Sequence, residues 1–391
     1  MKKISFIIML TVVFSVLCMP IKAKNATYYE AEYSLLTGDD VSVSADSAIL
    51  IDAATGEVLY MKNPDEALPP ASVTKVMTLL LVSEAIADGR IKEDELVTIS
   101  EYASSMGGSQ VFLKEGERLS VSELLKCTVI ASANDAAVAL AEHVAGSEST
   151  FVSRMNEKAK ELNLRGSSFE NVTGLDDTTE KHLMSARDIA IISKELIKYP
   201  HITEYASIWQ DTIRNGEFTL TNTNRLVRYY DGCNGLKTGS TDKAGFCISA
   251  TAKRGELQLI AVIMGAPTRD ERNRDARTLL DFGFANYALY DAPCTEIEKI
   301  PVHFGKSASV PLYKEAFKKV VRKSDLKSVE AIYEIPEALR APIKKGDSVG
   351  KVTYKIGDSV IGESDLYIDE NIEKLGFFDI FLSLIRRIIV G

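Results

Sequence analysis

The chain has 391 residues, 46% apolar and 26% charged, which excludes a disordered or collagen-like protein and is long enough for two domains. A formal charge of −9 argues against nucleic acid as a partner. The four histidines lie far apart and no Cys-x-x-Cys occurs, so neither a metal site nor a cofactor is predicted.

Taken in order, Met1-Lys2-Lys3, the apolar run Ile4 to Cys18 and the small Ala23 read as a secretory signal peptide over residues 1–23. The apolar run is short for a retained span of about 20 residues. Leu17 stands where a lipoprotein would place a small residue before Cys18. Removal takes away Lys2, Lys3 and Lys22 and leaves 43 basic against 55 acidic residues, a formal −12. Cys127, Cys233, Cys247 and Cys294 remain, and Cys233 with Cys247 is the one pair to test as a disulfide. Residues 24–45 form a polar, poorly periodic leader.

Asp46 to Met61 reads as a hairpin around Thr55-Gly56 and opens a domain expected over residues 46–292. Pro69-Pro70-Ala71-Ser72-Val73-Thr74-Lys75 follows, running into Val76 to Val82, and the absence of Pro and Gly from Val73 to Asp88 predicts a helix beginning at or just after Ser72. In a first helical turn Ser72 and Lys75 share a face, so hydroxyl and amine can meet at an electropositive terminus; Ser72 as a plain N-cap fits the same spacing. Leu96 to Ile99 is a short strand and Ala103 to Ser109 a small-residue loop of the kind that lines sites or simply connects. Ser120 to Glu123 is a capping-box pattern opening a helix that runs toward Ser132-Ala133-Asn134, after which Ala136 to Ala145 is helical again.

Helices are expected at Thr150 to Leu162 and Ser185 to Ile197. Lys237-Thr238-Gly239 opens an antiparallel meander with Phe246 to Ala250 and Leu257 to Met264, and Arg277 to Tyr290 closes the domain as a helix. From Pro293 the texture becomes alternating residues broken by Gly-Asp turns, a small all-β domain over residues 293–368. Its basic run, Lys314 to Lys327, reads as a solvated strand face. In the terminal segment, residues 369–391, Phe377, Phe378, Phe381, Leu384, Ile385 and Ile388 share one helical face, with Asp379, Ser383, Arg386 and Arg387 on the other. About 15 residues rise roughly 22 Å as a helix, too short to span about 30 Å of hydrocarbon, so the segment should lie on a membrane surface.

Ser72-x-x-Lys75, Ser132-Ala133-Asn134 and Lys237-Thr238-Gly239, each once and in this order, together resemble the low-molecular-mass penicillin-binding proteins, the serine D-alanyl-D-alanine carboxypeptidases. The resemblance extends to Asn222-Thr223-Asn224-Arg225-Leu226, to Ser240-Thr241-Asp242-Lys243-Ala244-Gly245 after the third triplet, and to Ala341-Pro342-Ile343-Lys344-Lys345-Gly346-Asp347. It implies an α+β fold: a β-lactamase/transpeptidase-like catalytic domain of antiparallel sheet flanked by helices plus a helical part, then the β-domain and the terminal amphipathic helix. It implies Ser72, Lys75 and Ser132 as catalytic residues, with Asn134, Lys237, Thr238, Gly239, Ser240 and Arg272 as substrate-binding residues. A lysine can serve as base only if burial or another cation lowers its pKa, and Lys237 is the candidate second cation.

The expected substrates are peptidoglycan stem peptides, with β-lactams as acylating inhibitors, at the outer face of the cytoplasmic membrane. A β-lactamase is the first rival, for which Glu161 or Glu170 would supply the carboxylate; a non-enzymatic β-lactam sensor or wall-binding scaffold is the second.

Overall fold

The structure of the chain, a computed structural model, describes residues 41–177, 179–381 and 385. The expected signal peptide, residues 24–40 of the leader and most of the terminal helix lie outside the described residues.

The catalytic half is built on a five-stranded antiparallel sheet. Strands β1 (Ser47–Asp52) and β2 (Val58–Lys62) form the expected hairpin, and β3 (Cys233–Thr241), β4 (Gly245–Arg254) and β5 (Leu257–Ala266) the meander. The spatial order is β2-β1-β5-β4-β3, so β3 is an edge. Both faces are buried, and the period-2 alternation of side chains divides each central strand between two cores. Ile49 and Ile51 with Ile260, Val262 and Met264 face a large helical core. Ala48 and Leu50 with Leu259, Ala261 and Ile263 face the opposite one, against the helix Arg269–Asn286.

Five helices of the large core are α1 (Lys75–Ala87), α2 (Val121–Ile130), α3 (Asn134–Ala145), α4 (Glu148–Glu161) and α5 (Ala186–Leu196). From Lys75 to Ser83, α1 is buried on every side, which makes it the axle of the helical part. The capping box at α2 forms: Ser120 Oγ accepts from Glu123 N–H at 3.2 Å, and Ser120 N–H donates to Glu123 at 3.1 Å. A short helix α6 (Leu226–Tyr229) and the long α7 (Arg269–Asn286) complete this half. The closing helix thus begins eight residues before the expected Arg277, because Thr268 caps it by accepting from Glu271 N–H at 3.1 Å. It ends at Asn286 because Tyr287–Ala292 pairs with Phe317–Arg322 as a strand.

Two more expectations shift at the edges. The last leader residues are docked rather than loose: Val43 and Ala45 are buried, with Val41 packed beside them. Asp275 Oδ2 on α7 accepts from Ser44 N–H, Ser44 Oγ–H and Ala45 N–H at 2.8–2.9 Å. Cys233 and Cys247 are both free, at opposite ends of the β3–β4 pair, where Cys247 faces Gly239 and Cys233 faces Ala252.

The β-domain is a six-stranded sheet whose central hairpin is Ser348–Ile356 with Ser359–Ile368. Its basic run is partly engaged: Lys318 pairs with Asp291 at 2.9 Å, and Lys319 reaches Glu57 at 3.1 Å, in the β1–β2 turn of the catalytic half. Packing continues past Ile368, since Ile372 bridges Ile343 and Leu375 N–H donates to Phe304 O. Residues 377–381 are helical, with Phe377 and Phe378 79% and 75% exposed.

Asp275 ties the 41–45 segment to α7, so Asp275→Ala should lower stability by about 1–3 kcal/mol, leaving the buried Ala45 N–H without its acceptor. Ser44→Ala, which removes only a hydroxyl, should cost less. Urea denaturation of both variants checks this, and equal midpoints would show that the Asp275 carboxylate holds nothing.

Candidate active site

The Ser72 segment is tighter than expected. Ala71–Thr74 is a 3-10 turn and the α-helix starts at Lys75, so Ser72 sits one turn ahead of α1. The cause is a close approach. Gly174 packs so near this turn that a Cβ there would lie 1.8 Å from Ala71 O, and Ala71 itself has a left-handed φ of 47°. A proton-ordered chain supports the turn: Glu170 N–H donates to His182 Nδ1, His182 Nε2–H to Thr74 Oγ1 at 2.7 Å, and Thr74 O–H to Ala71 O. Burial pushes His182 down to about 4, which keeps the imidazole neutral in this tautomer at neutral pH.

Lys75 Nζ lies 2.9 Å from Ser72 Oγ, 2.6 Å from Asn134 Oδ1 and 2.8 Å from Thr173 O. Asn134 Nδ2 donates to Gly107 O at 2.7 Å, which fixes the orientation of the amide and leaves Oδ1 toward the lysine. Two neighbours of the amine are therefore obligate acceptors and the third is a hydroxyl. A neutral amine, with two N–H bonds and one lone pair, satisfies all three by donating to Asn134 and Thr173 and accepting from Ser72. Complete burial, followed by the charge of Lys237, holds Lys75 well below the ordinary lysine range, with Asp135 opposing.

The second cluster joins two distant segments. Ser132, in the turn between α2 and α3 with a φ of 62°, accepts from Lys237 Nζ at 2.7 Å, and the same amine donates to Thr238 O at 2.9 Å. Burial, then the neighbouring Arg272, pushes Lys237 down to about 7. Gly239 is required by contact, since a Cβ there would lie 2.7 Å from Ser72 N and 2.9 Å from Val73 N. Edge strand β3 thus runs directly against the backbone of Ser72.

These groups surround a cavity of about 190 Å³. Ser72, Ser132, Thr238, Gly239, Ser240 and Arg272 line it. Lys75, Asn134 and Lys237 do not; they form the layer beneath. Both ends of the Asn134 amide are engaged, by Lys75 and by Gly107 O. The cations that face the cavity are the guanidinium groups of Arg272 and Arg269. Arg272 is buried, and burial lowers it to about 10, still protonated at neutral pH.

Sequence reading missed several participants. Thr223 lines the cavity and shares a 2.8 Å hydrogen bond with Thr238. Ser109 lines it from the small-residue loop, which Asp135 holds by accepting from Val111 and Leu113 N–H. Asn171 Oδ1 accepts from Thr173 and Gly174 N–H and so presents the Thr173 carbonyl to Lys75. Of these, Thr223 stands inside the Asn222-Thr223-Asn224 run and Ser109 in the small-residue loop, whereas Asn171 carries no signal in the sequence. The carboxylates a β-lactamase would need are elsewhere: Glu161 pairs with Lys158 on the surface, and Glu170 accepts from Glu180 and Lys181 N–H.

Comparison with known proteins gives one answer. The D-alanyl-D-alanine carboxypeptidase family, peptidase S11, matches residues 35–268, and the C-terminal domain of penicillin-binding protein 5 matches residues 292–374. The chain is 44% identical to the D-alanyl-D-alanine carboxypeptidase DacF of Bacillus subtilis over 346 residues, 86% of this chain and 88% of that one. It is 36% identical to DacC of Escherichia coli, with 86% of each covered. Penicillin-binding protein 5 of Haemophilus influenzae superposes with a TM-score of 0.75 at 32% identity, over 86% of this chain and 100% of that one. With its serine, lysines and cavity arranged as above, the chain belongs to the D-alanyl-D-alanine carboxypeptidases of the penicillin-binding protein class.

Proposed function

We propose that Ser72 is the nucleophile and Lys75 its base, acting on the D-Ala-D-Ala end of peptidoglycan stem peptides. The observation that carries this is the 2.9 Å approach of an amine whose other neighbours both demand its N–H bonds. Lys75 takes the hydroxyl proton as Ser72 Oγ bonds to the penultimate D-alanine carbonyl carbon. The backbone N–H groups of Ser72 and Ser240 hold the developing oxyanion. The C–N bond then breaks, and the departing D-alanine amine receives a proton through Ser132, which Lys237 contacts from behind. Water hydrolyses the ester and frees Ser72. The terminal carboxylate of the substrate faces Thr238, Ser240 and Arg272, the polar and cationic groups of the cavity wall.

A β-lactam carries a strained amide and a carboxylate in the same relation, so it should acylate Ser72 and remain bound. Intact mass should show one penicillin adduct on wild type and none on Ser72→Ala. Lys75→Arg, which keeps the charge and loses the base, should acylate at least about a hundredfold more slowly at every pH, with each tenfold equal to about 1.4 kcal/mol of barrier. Near-normal acylation of that variant would place the base elsewhere.

We also propose that the protein is exported and held on the outer face of the cytoplasmic membrane by residues 376–391. The exposed Phe377, Phe378 and Phe381 support this, since no part of the catalytic half covers them. Liposome co-sedimentation of the mature protein with and without residues 376–391 tests it. Loss of binding with unchanged turnover of a soluble peptide is expected, and equal partitioning refutes the tether.

A further inference from the structure

A second groove of about 290 Å³ lies between α6 and α7. Arg225, Arg274 and Arg277 line it, with Tyr229, Asn273 and a single carboxylate, Asp270. On α7 these are positions 270, 273, 274 and 277, the i, i+3, i+4, i+7 set of one helix face. Arg225 and Arg277 form no ion pair among the described residues, and the exposed Arg274 has only Glu271, at 3.4 Å. Tyr229 is 58% exposed, its ring steadied by Arg228, which lies over both it and Trp209. Three guanidinium groups gathered around one carboxylate on a chain of net charge −9 form a local charge of the opposite sign.

The groove shares both walls with the catalytic cavity. Thr223 belongs to the cavity and Arg225 to the groove; on α7, Arg269 and Arg272 face the cavity, while Asp270 and Asn273 face the groove. Arg272 donates from Nε and Nη2 to Asn273 Oδ1 at 3.1 and 2.9 Å, so the guanidinium that faces the scissile end is hydrogen-bonded to a residue of the groove.

We propose that this groove binds the free carboxylates of a second stem peptide, next to the one being trimmed. The inference rests on the reading that the substrate's terminal carboxylate faces Arg272, because that orientation points the leaving end toward the groove. Planar guanidinium groups match carboxylates two bonds at a time, and the ring of Tyr229 offers an apolar floor for the peptide between them. The polymeric wall brings stem peptides at high local concentration, so a second contact strengthens engagement of the polymer without altering that of a single short peptide.

The test compares wild type with the triple variant Arg225→Gln, Arg274→Gln, Arg277→Gln on two substrates. D-Alanine release from diacetyl-Lys-D-Ala-D-Ala should agree within about twofold, since the variant leaves the cavity intact. On insoluble pentapeptide-rich peptidoglycan the variant's kcat/KM should fall about tenfold. Equal loss on both substrates, or none on the polymer, overturns the proposal. In a second arm, with wild type on the polymer, a soluble stem peptide lacking the terminal D-Ala-D-Ala should inhibit, and should fail to inhibit the variant. Inhibition by poly(glycerol phosphate) with none by the stem peptide would identify the groove as a phosphate-polymer site and also overturn the proposal. Wild type failing on the short peptide itself would count against the carboxypeptidase reading instead, which keeps the two failures distinct.

Discussion

Two lysine amines are buried almost completely within one polar layer, and the rest of the catalytic half is arranged around that expense. Removing an ammonium from water costs several kcal/mol unless it is paired or gives up its proton. Among the described residues Lys75 has no carboxylate at hydrogen-bond distance; its neighbours are an amide oxygen, a backbone carbonyl and a hydroxyl. Burial, followed by the charge of Lys237, is what favours the neutral amine, the form able to accept a proton from a hydroxyl. Lys237 is more moderately lowered and contacts Ser132 and Thr238 O. Its charge is one reason that Lys75 gives up its own.

Such a layer forms only if backbone from four places converges with very small separations. The turn before α1, the α2–α3 junction, the loop at Thr173 and edge strand β3 all meet there. Glycine stands at the tightest approaches, Gly174 against Ala71 O and Gly239 against Ser72 N. The large core holds α1 from every side, and the second core holds α7 against the opposite face of the sheet. Because α7 carries both Arg272 and the groove arginines, the docking of residues 43–45 on Asp275 bears on the site although it is remote from the chemistry.

What could be read from the residues was whatever local pattern specifies. The Ser72-Lys75 spacing, the Ser120-Glu123 capping box and the β3–β5 meander announce themselves in consecutive side chains. Misplaced features depend on partners far away in the chain. Nothing in Thr173 marks its carbonyl as the third neighbour of Lys75, because a backbone oxygen has no residue-type signature. The leader is polar and poorly periodic, which hides its docking, since the Ser44 amide and hydroxyl are satisfied by an aspartate 231 residues away. The start of α7 was missed because the charged stretch Arg269 to Arg274 hides its apolar stripe, and only Thr268 with Glu271 signals the cap. Asn134 and Lys237 are legible as members of the site, but their burial is not, since spacing carries no information about depth.

Depth is what separates the two kinds of cation here. Lysine changes its protonation readily when desolvated, whereas arginine keeps its charge even where burial lowers it to about 10. The site puts lysines underneath, where desolvation lowers their pKa, and arginines at the wall, where they keep their charge. A lysine in place of Arg272 would share the desolvation that already lowers Lys237, and the wall would lose charge near neutral pH. An arginine in place of Lys75 could not become neutral, so it could not take up a proton. The same logic extends outward along α7: beyond the cavity the solvent-exposed cations of the groove are again arginines, suited to anions that keep their charge and to no proton transfer at all.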